Sequence, residues 1–270
     1  MKSTDFTIYD LTARNAALYA DREVVVGDGQ RLNAGEFHRC CGEYAARLQG
    51  EGLAAGDRIA VVAGNEAEFL LLCVAASRLG AVVVPVNWRL SAAEIAYLLN
   101  DTTPRFLFCS GEFRDLARQA SAGMPFFEKR FVFDNGGSAA AGVVSGNGAA
   151  VSGGDDWQIW PAGDAVTGEE RAAGLSPEGQ RFVVAGGAGR IASSEECAVY
   201  PDGAAPFLII HTAAAGGKPR GCVLSQDNLI GTATQLTHLL RLDDRDAYIG
   251  LLPLFHIGGL AMTLATMLAG

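Results

Sequence analysis

The first half of the chain alternates short apolar runs with longer amphipathic segments, and this alternation constrains the fold more than any other feature. The runs "RIAVV", "AVVVPV", "RFLFC" and "RFVFD" have the length and the branched or aromatic content of buried strands. Strands that alternate with helices pair in parallel through right-handed crossovers. The sequence therefore predicts an α/β fold in which a mostly parallel sheet is wrapped by helices.

Local signals place the ends of several elements. Gly27-Asp28-Gly29 separates two strand-like runs and predicts a β-hairpin. Asn33 with Glu36, and Ser91 with Glu94, have the spacing of a capping box, in which the two residues satisfy each other's free backbone amides. We expect helices to begin after Asn33 and after Ser91, and a third helix, "EAEFLLLCVAASRLG", to end at its final glycine.

A second ordered region begins after Pro206. It reads as the strand "FLIIH", a glycine-bearing loop, the strand "GCVLS", a helix from about Gln226 to Leu240, the strand "AYIGLLPL" and an apolar helix. Residues 136–154 are rich in Gly, Ala, Ser and Val, which is typical of a flexible connection. We predict a first α/β subdomain at 1–140, a connection at 141–202 and the start of a second, similar subdomain at 203–270.

Charge and composition narrow the classes of partner. The net charge is −9 and no run of Lys or Arg occurs, which argues against nucleic acid as a partner. The six cysteines form no CxxC pair and lie mostly in apolar runs, which predicts reduced, buried thiols rather than disulfides or a metal site. No secretory signal opens the sequence, and no apolar run reaches the roughly 20 residues of a membrane span. We expect a soluble, cytoplasmic protein.

The segment Thr212–Gly221, "TAAAGGKPRG", is the strongest candidate for a binding loop. Small residues let backbone amides approach an anion, and Lys218 adds a mobile positive charge that suits phosphate. The loop is not a Walker loop, because Pro219 stands where a magnesium-binding Ser or Thr would be required. From these residues alone, a phosphate site and a plain turn between strands are both open.

Two other segments carry weaker signals. His256 precedes Gly258, where a ligand could approach the backbone, although a lone histidine in an apolar stretch is more often structural. Gly186, Gly187 and Gly189 suggest a dinucleotide turn, but the following helix and acidic residue that such a site needs are missing. A nicotinamide enzyme is therefore disfavoured. No G-x-S-x-G hydrolase motif is present, and no histidine has metal-ligand spacing.

Three segments in order resemble the adenylate-forming superfamily of acyl- and aryl-CoA ligases. "HTAAAGGKPRGCVLSQDNL" is similar to its TSGTTGxPKG signature, and "LLPLFHIGGL" to the P-L-F-H-x-x-G segment of its CoA-ligase branch. The region from "NAGEF" to "RFLFC" resembles the family's amino-terminal part. The residues that match the signature directly are Thr212, Gly217, Pro219 and Gly221. Arg220 replaces a lysine, Gln226 replaces a frequent histidine, and Ala213, Ala214, Ala215 and Gly216 replace Ser, Gly, Thr and Thr.

The resemblance implies a two-step reaction with ATP, Mg²⁺ and CoA. A fatty or aryl carboxylate attacks the α-phosphate of ATP, and the thiol of CoA then displaces AMP from the acyl-adenylate. The phosphate-binding residues that the resemblance implies are Thr212, Ala213, Ala214, Ala215, Gly216, Gly217, Lys218 and Arg220. His256 and Gly258 would line the acyl or carboxylate pocket. No catalytic residue and no metal ligand is assigned within these residues.

The resemblance also implies that the family's later motifs, including the ribose-binding aspartate and the lid with the catalytic lysine, follow residue 270. We therefore expect an amino-terminal portion of a longer ligase that is inactive alone. The alanine-substituted loop leaves a second hypothesis open, namely a non-catalytic homologue that acts as a binding or scaffold protein. Association into a homo-oligomer is also left open.

Overall fold

The computed structural model describes residues 6–27, 30–134, 156–161, 201–212 and 217–270. In chain order, the helices and strands of these residues are α1 Ile8–Tyr19, β1 Glu23–Gly27, β2 Gln30–Asn33, α2 Ala34–Gly50, β3 Arg58–Val62, α3 Ala67–Leu79, β4 Val82–Pro85, α4 Ala92–Thr102, β5 Phe106–Cys109, α5 Arg114–Ala120, β6 Lys129–Asp134, β7 Trp157–Pro161, β8 Pro206–His211, β9 Gly221–Ser225, α6 Gln226–Leu240 and α7 Ile257–Ala269. Within these residues, a 3-10 turn at Gly111–Phe113 leads into α5.

Seven of these strands form one sheet in the order β7-β6-β5-β3-β4-β8-β9. Every neighbouring pair is parallel except β8 and β9, which are antiparallel. This arrangement confirms the predicted α/β fold with a mostly parallel sheet. β8 joins β4 through the pair Val83 and Leu208, so strands from both predicted subdomains share the sheet. The division at 140 and 202 stays a prediction, since most of the predicted connection lies outside the described residues.

Helices cover both faces of the sheet, as parallel strands require. Along β3, Ile59 and Val61 pack into a core with α1, α2, α3, α6 and α7, whereas Ala60 and Val62 pack into a second core with α4 and α5. Side chains alternate between the two faces because successive residues of a strand point in opposite directions. α4 is therefore fixed to one face of the sheet, and α6 and α7 to the other.

An aromatic cluster fills the first core beneath β5, β6 and β7. The Phe108 ring stacks on Phe131 and Phe133 at centroid distances of 4.7 and 5.7 Å, and meets Trp160 edge-on at 5.1 Å. Phe108, Phe131 and Trp160 are completely buried. Offset and edge-on ring pairs stabilise beyond the apolar area they bury, so this cluster is a major stabilising element.

The helix signals read from the sequence are confirmed. Asn33 with Glu36, and Ser91 with Glu94, form complete capping boxes at the starts of α2 and α4. The helix predicted to end at Gly80 does so with that residue at a φ of 68°, the left-handed conformation that glycine adopts readily. The predicted hairpin is the β1–β2 pair.

Gln226 connects three helices in the first core. Its Oε1 accepts a hydrogen bond from the Ile8 amide at the start of α1 (2.9 Å), and its Nε2 donates to the Ser77 carbonyl of α3 (3.1 Å). A second link runs from α1 to α7, where Asn15 Nδ2 donates to the Met267 carbonyl (2.7 Å). α1, which the sequence analysis did not predict, is therefore held by residues from the far end of the chain.

One predicted strand is wrong. Residues 247–254, "AYIGLLPL", form no strand, and Ile249 and Leu251 are 76% and 81% exposed. An apolar run becomes a strand only when another strand offers it hydrogen bonds, and within the described part of the chain β9 ends the sheet with no strand beside this run. Gly186, Gly187 and Gly189, which suggested a dinucleotide turn, lie outside the described residues, and β7 was not predicted.

The cysteine prediction holds for four thiols and fails for one. Cys40, Cys41, Cys73 and Cys109 are buried and free, as predicted, but Cys222 on β9 is exposed. It lies on β9, which is the last strand of the sheet within the described part of the chain. Cys197 lies outside the described residues. Among the helices of the described ranges, none combines the length and apolar character that crossing a bilayer demands.

Candidate functional site

Both candidate segments lie at the carboxyl edge of the sheet. β3, β4, β5 and β8 run parallel, so the loops that follow them leave the same edge. In open α/β sheets this edge is where ligands bind. The glycine-bearing loop follows β8, and Asn65, which follows β3, holds the segment before His256.

The glycine-bearing loop is the turn of the β8–β9 hairpin. His211 pairs with Gly221 at the end of the ladder, and the Thr212 amide donates to the Arg220 carbonyl at 3.0 Å. The Thr212 hydroxyl donates to the same carbonyl at 3.4 Å, so this side chain braces the base of the loop. A Cβ on Gly221 would lie 2.8 Å from Ile209 Cγ2, which explains the glycine at this position.

The second half of the loop, residues 217–220, is open to solvent. Gly217, Lys218 and Arg220 are exposed, and a Cβ added to Gly217 would meet nothing within 4 Å. Two positive side chains and an uncovered glycine backbone suit the approach of an anion. The four substituted positions at the centre of the loop, Ala213–Gly216, lie outside the described residues.

Two side chains of α4, neither singled out from the sequence, reach this loop. Asp101 Oδ2 lies 3.0 Å from Nε2 of His211, and the Tyr97 hydroxyl donates to the Pro219 carbonyl at 3.3 Å. Lys218 Nζ lies 5.6 Å from the centre of the Tyr97 ring. These contacts join residues about a hundred positions apart, and no local sequence motif would have found them.

His256 begins α7 as its N-cap. Its Nδ1 accepts a hydrogen bond from the Gly258 amide at 3.2 Å, so Nε2 carries the proton of the neutral ring. The residue is exposed, and its amide donates to the Pro253 carbonyl at 3.0 Å. The ring is therefore oriented by the helix start and offers an N–H donor to its surroundings.

Asn65 fixes the segment that leads to His256. Its Nδ2 donates to the carbonyls of Gly250 (2.7 Å) and Leu252 (2.9 Å), and its Oδ1 accepts from the Leu254 amide (2.9 Å). One amide side chain thus supplies the hydrogen bonds that a neighbouring strand would otherwise provide. This residue was not predicted from the sequence, because an asparagine after a strand has no motif of its own.

An aromatic wall stands beside the same segment. Trp88, which follows β4, stacks on Phe113 at 4.9 Å and meets Phe255 edge-on at 6.3 Å. Phe255 is the neighbour of His256. The wall gives the His256 region an apolar side, which suits the hydrocarbon part of a carboxylic acid.

Burial affects one reactive group at this edge. Cys109, the last residue of β5, is buried, and desolvation raises the pKa of its thiol well above the usual range. The thiol therefore stays protonated and is not a nucleophile. Within residues covered by the structure, no cluster of three or more His, Cys, Asp or Glu could hold a metal ion.

The structure thus places the predicted residues in two groups at one edge of the sheet. Thr212, Lys218 and Arg220 belong to the hairpin loop, and His256 and Gly258 to the start of α7. Among the residues described, no hydrogen bond joins the two groups. An exposed cationic loop and an oriented imidazole therefore lie at the edge where open α/β sheets bind ligands.

Comparison with known proteins identifies the family. A family model described as "AMP-binding enzyme" matches residues 12–270, and the chain belongs to that family. It is 30% identical over 249 residues to an indoleacetate–CoA ligase of Aromatoleum aromaticum, which covers 92% of this chain and 40% of the relative. It is 22% identical over 240 residues to the long-chain-fatty-acid–CoA ligase FadD13 of Mycobacterium tuberculosis, covering 89% of this chain and 39% of that protein.

Solved structures share the fold. The N-terminal domain of FACL13 from Mycobacterium tuberculosis has a TM-score of 0.68 at 22% identity, with 98% of this chain and 55% of that chain covered. ATP-bound MatB from Rhodopseudomonas palustris has a TM-score of 0.64 at 22% identity, with 98% and 44% covered. The chain spans about 40% of the length of the two curated CoA ligases described above.

Proposed function

We propose that the chain is the amino-terminal portion of an ATP-dependent carboxylate–CoA ligase. In this proposal the whole protein joins a carboxylate to the α-phosphate of ATP, releases pyrophosphate, and transfers the acyl group from AMP to CoA. The observation that carries the proposal is the exposed cationic loop at the carboxyl edge of the sheet in a chain that belongs to the AMP-binding family. The relatives that act on indoleacetate and long-chain fatty acids support an aryl or fatty acid as substrate.

The residues present fit the phosphates of ATP. Lys218 and Arg220 offer positive charge, and the open backbone at Gly217 leaves room for a phosphate oxygen. Bound ATP would supply the activated phosphorus and a pyrophosphate leaving group. Mg²⁺ would enter with the phosphates, and we assign no residue of this chain to it. His256 would donate its Nε2–H at the carboxylate pocket, against the apolar wall of Trp88 and Phe255.

The test is carboxylate-dependent exchange of pyrophosphate into ATP. A full-length protein, in which residues 1–270 are followed by the remainder of the fold, is expected to catalyse exchange with at least one fatty or aryl acid. Residues 1–270 alone are expected to give background exchange only. A full-length protein that is folded and exchanges with no member of a broad acid panel would instead support the non-catalytic scaffold hypothesis.

Restoring a hydroxyl to the loop is expected to tighten ATP binding. Ala213→Ser in the full-length protein replaces a methyl group with a donor to a charged phosphate, and such a bond contributes about 1.5–3 kcal/mol. The dissociation constant of ATP, measured by calorimetry, should fall about tenfold or more. Cys222→Ser, which adds a hydroxyl on the neighbouring exposed strand, is the matched control and should leave it unchanged. Equal affinities of wild type and Ala213→Ser would reject this role for position 213.

A further inference from the structure

We infer that α4 holds the glycine-bearing loop, Thr212–Gly221, in place. Tyr97 and Asp101 of this helix are then positioning residues for the β- and γ-phosphates of ATP. The inference rests on the proposed function, because it assigns a mechanical part of the same site. Both residues lie in the region that resembles the family's amino-terminal part, but neither lies in the segment that is similar to the TSGTTGxPKG signature. Each contacts the loop through backbone or through a flanking side chain rather than through the ligand.

The two side chains contact opposite ends of the loop. Asp101 Oδ2 is 3.0 Å from Nε2 of His211, the last residue of β8 before the loop begins. The Tyr97 hydroxyl donates to the carbonyl of Pro219, which lies between Lys218 and Arg220 near the end of the loop. Residues four apart on a helix lie on the same side of it, so one face of α4 carries both contacts. One rigid helix therefore sets the distance between the two ends of the loop.

Tyr97 also gives Lys218 a resting position. The ammonium lies 5.6 Å from the ring centre, within the range of a cation–π contact. A lysine side chain otherwise samples many rotamers, and holding it in place for a phosphate costs conformational entropy. A ring beside it reduces the number of orientations that binding must exclude. Tyr97 therefore acts on the position of the charge as well as on the backbone.

The His211 ring of the Asp101–His211 pair is packed into the base of the hairpin, whereas the Asp101 side chain is 43% exposed. The His211 side chain is only 5% exposed, and a Cβ on Gly221 would lie 3.4 Å from its Nε2 and 3.6 Å from Asp101 Oδ2. His211 Nδ1 is buried and has no hydrogen-bond partner among the described residues. The contact with Asp101 is therefore the polar interaction that orients this ring, and through it the start of the loop.

α4 itself is fixed independently of the loop. Ile95, Leu98 and Leu99 are buried against the sheet. The Glu94 carboxylate accepts hydrogen bonds from the Ser91 hydroxyl and amide, which lowers its pKa below the ordinary value and keeps the helix start capped. Because these contacts involve the face toward the sheet and the first turn, changes at 97 and 101 should leave the helix in place.

The test compares two nucleotides in the full-length protein. AMP lacks the β- and γ-phosphates. A loop that is no longer held in position should therefore bind a non-hydrolysable ATP analogue more weakly and leave the affinity for AMP unchanged. Tyr97→Phe removes only the hydroxyl, and Asp101→Asn removes the charge. We expect each to raise the calorimetric dissociation constant of the ATP analogue about threefold to tenfold, because the first variant loses a hydrogen bond and the second loses the charge that strengthens one. Asn100→Ala, on the exposed side of the same helix, is the control and should change neither affinity.

The outcomes separate the inference from the proposed function. If the wild type binds both nucleotides and Tyr97→Phe and Asp101→Asn keep the wild-type ratio of affinities, the support role is overturned and the ligase proposal stands. Parallel loss of both nucleotides with a lowered melting temperature would mean a general structural role, which also overturns it. If the wild type binds neither nucleotide, both proposals fail together. A loss of affinity for the ATP analogue alone would support the inference that α4 positions the loop.

Discussion

Phe108→Ala is expected to lower the free energy of unfolding by about 3–5 kcal/mol, the cost typical of removing a phenyl ring from a packed core. Phe108 contacts Phe131, Phe133 and Trp160, so alanine would remove three ring pairs at once and leave a cavity under the sheet. The surrounding strands are hydrogen-bonded on both sides of β5 and cannot collapse into the space. Urea denaturation followed by tryptophan fluorescence measures the loss directly.

Leu239→Ala is the control for Phe108→Ala. Leu239 is an apolar side chain on α6 that is 75% exposed, so its truncation should change the stability by no more than about 0.5 kcal/mol. Similar losses of stability for the two variants would mean that Phe108 contributes no more than an exposed apolar side chain. Phe108→Leu, which keeps most of the volume but no ring, should fall between the two.

Gly259→Ala is the second substitution with a large expected effect. A Cβ at this position would lie 2.2 Å from the Pro253 carbonyl oxygen and 2.8 Å from that of Leu252, and neither backbone atom can rotate away. We expect a loss of about 3 kcal/mol, at the upper end for an overpacked core. The Pro253 carbonyl also accepts the His256 amide, so moving it would turn the imidazole out of its position.

The control for Gly259→Ala is another helical glycine. Gly231 lies on the exposed side of α6, where a Cβ would meet nothing within 4 Å, so Gly231→Ala should stabilise by about 0.5–1 kcal/mol through helix propensity alone. Urea denaturation of both variants should therefore give opposite signs. A Gly259→Ala protein as stable as wild type would show that the segment from Leu252 to Pro253 is free to shift.

Features that depend on neighbouring residues could be read from the sequence. The capping boxes at Asn33 and Ser91 and the left-handed Gly80 are settled within four residues of each position, and all three were predicted. The alternation of strands and helices predicted the parallel sheet because each crossover is local as well.

Features that depend on distant partners could not be read in this way. The run 247–254 has the composition of a strand, yet Asn65, more than 180 positions earlier, satisfies its backbone instead of a neighbouring strand. In the candidate site, the sequence indicated the loop itself, but not the contact that Tyr97 makes with it. Its role follows from where α4 packs, and a tyrosine on a helix carries no sign of that.

The hydrogen bonds of α1 have a consequence for the order of events during synthesis. α1 leaves the ribosome before α6 and α7, but the side chain that accepts from its Ile8 amide belongs to Gln226, and the carbonyl that accepts from Asn15 belongs to Met267. Until those residues have been made, these polar groups can be satisfied only by water. Contacts of such long sequence separation form slowly. We therefore expect α1 to be more sensitive to protease in nascent chains that end before α7 than in chains that include it.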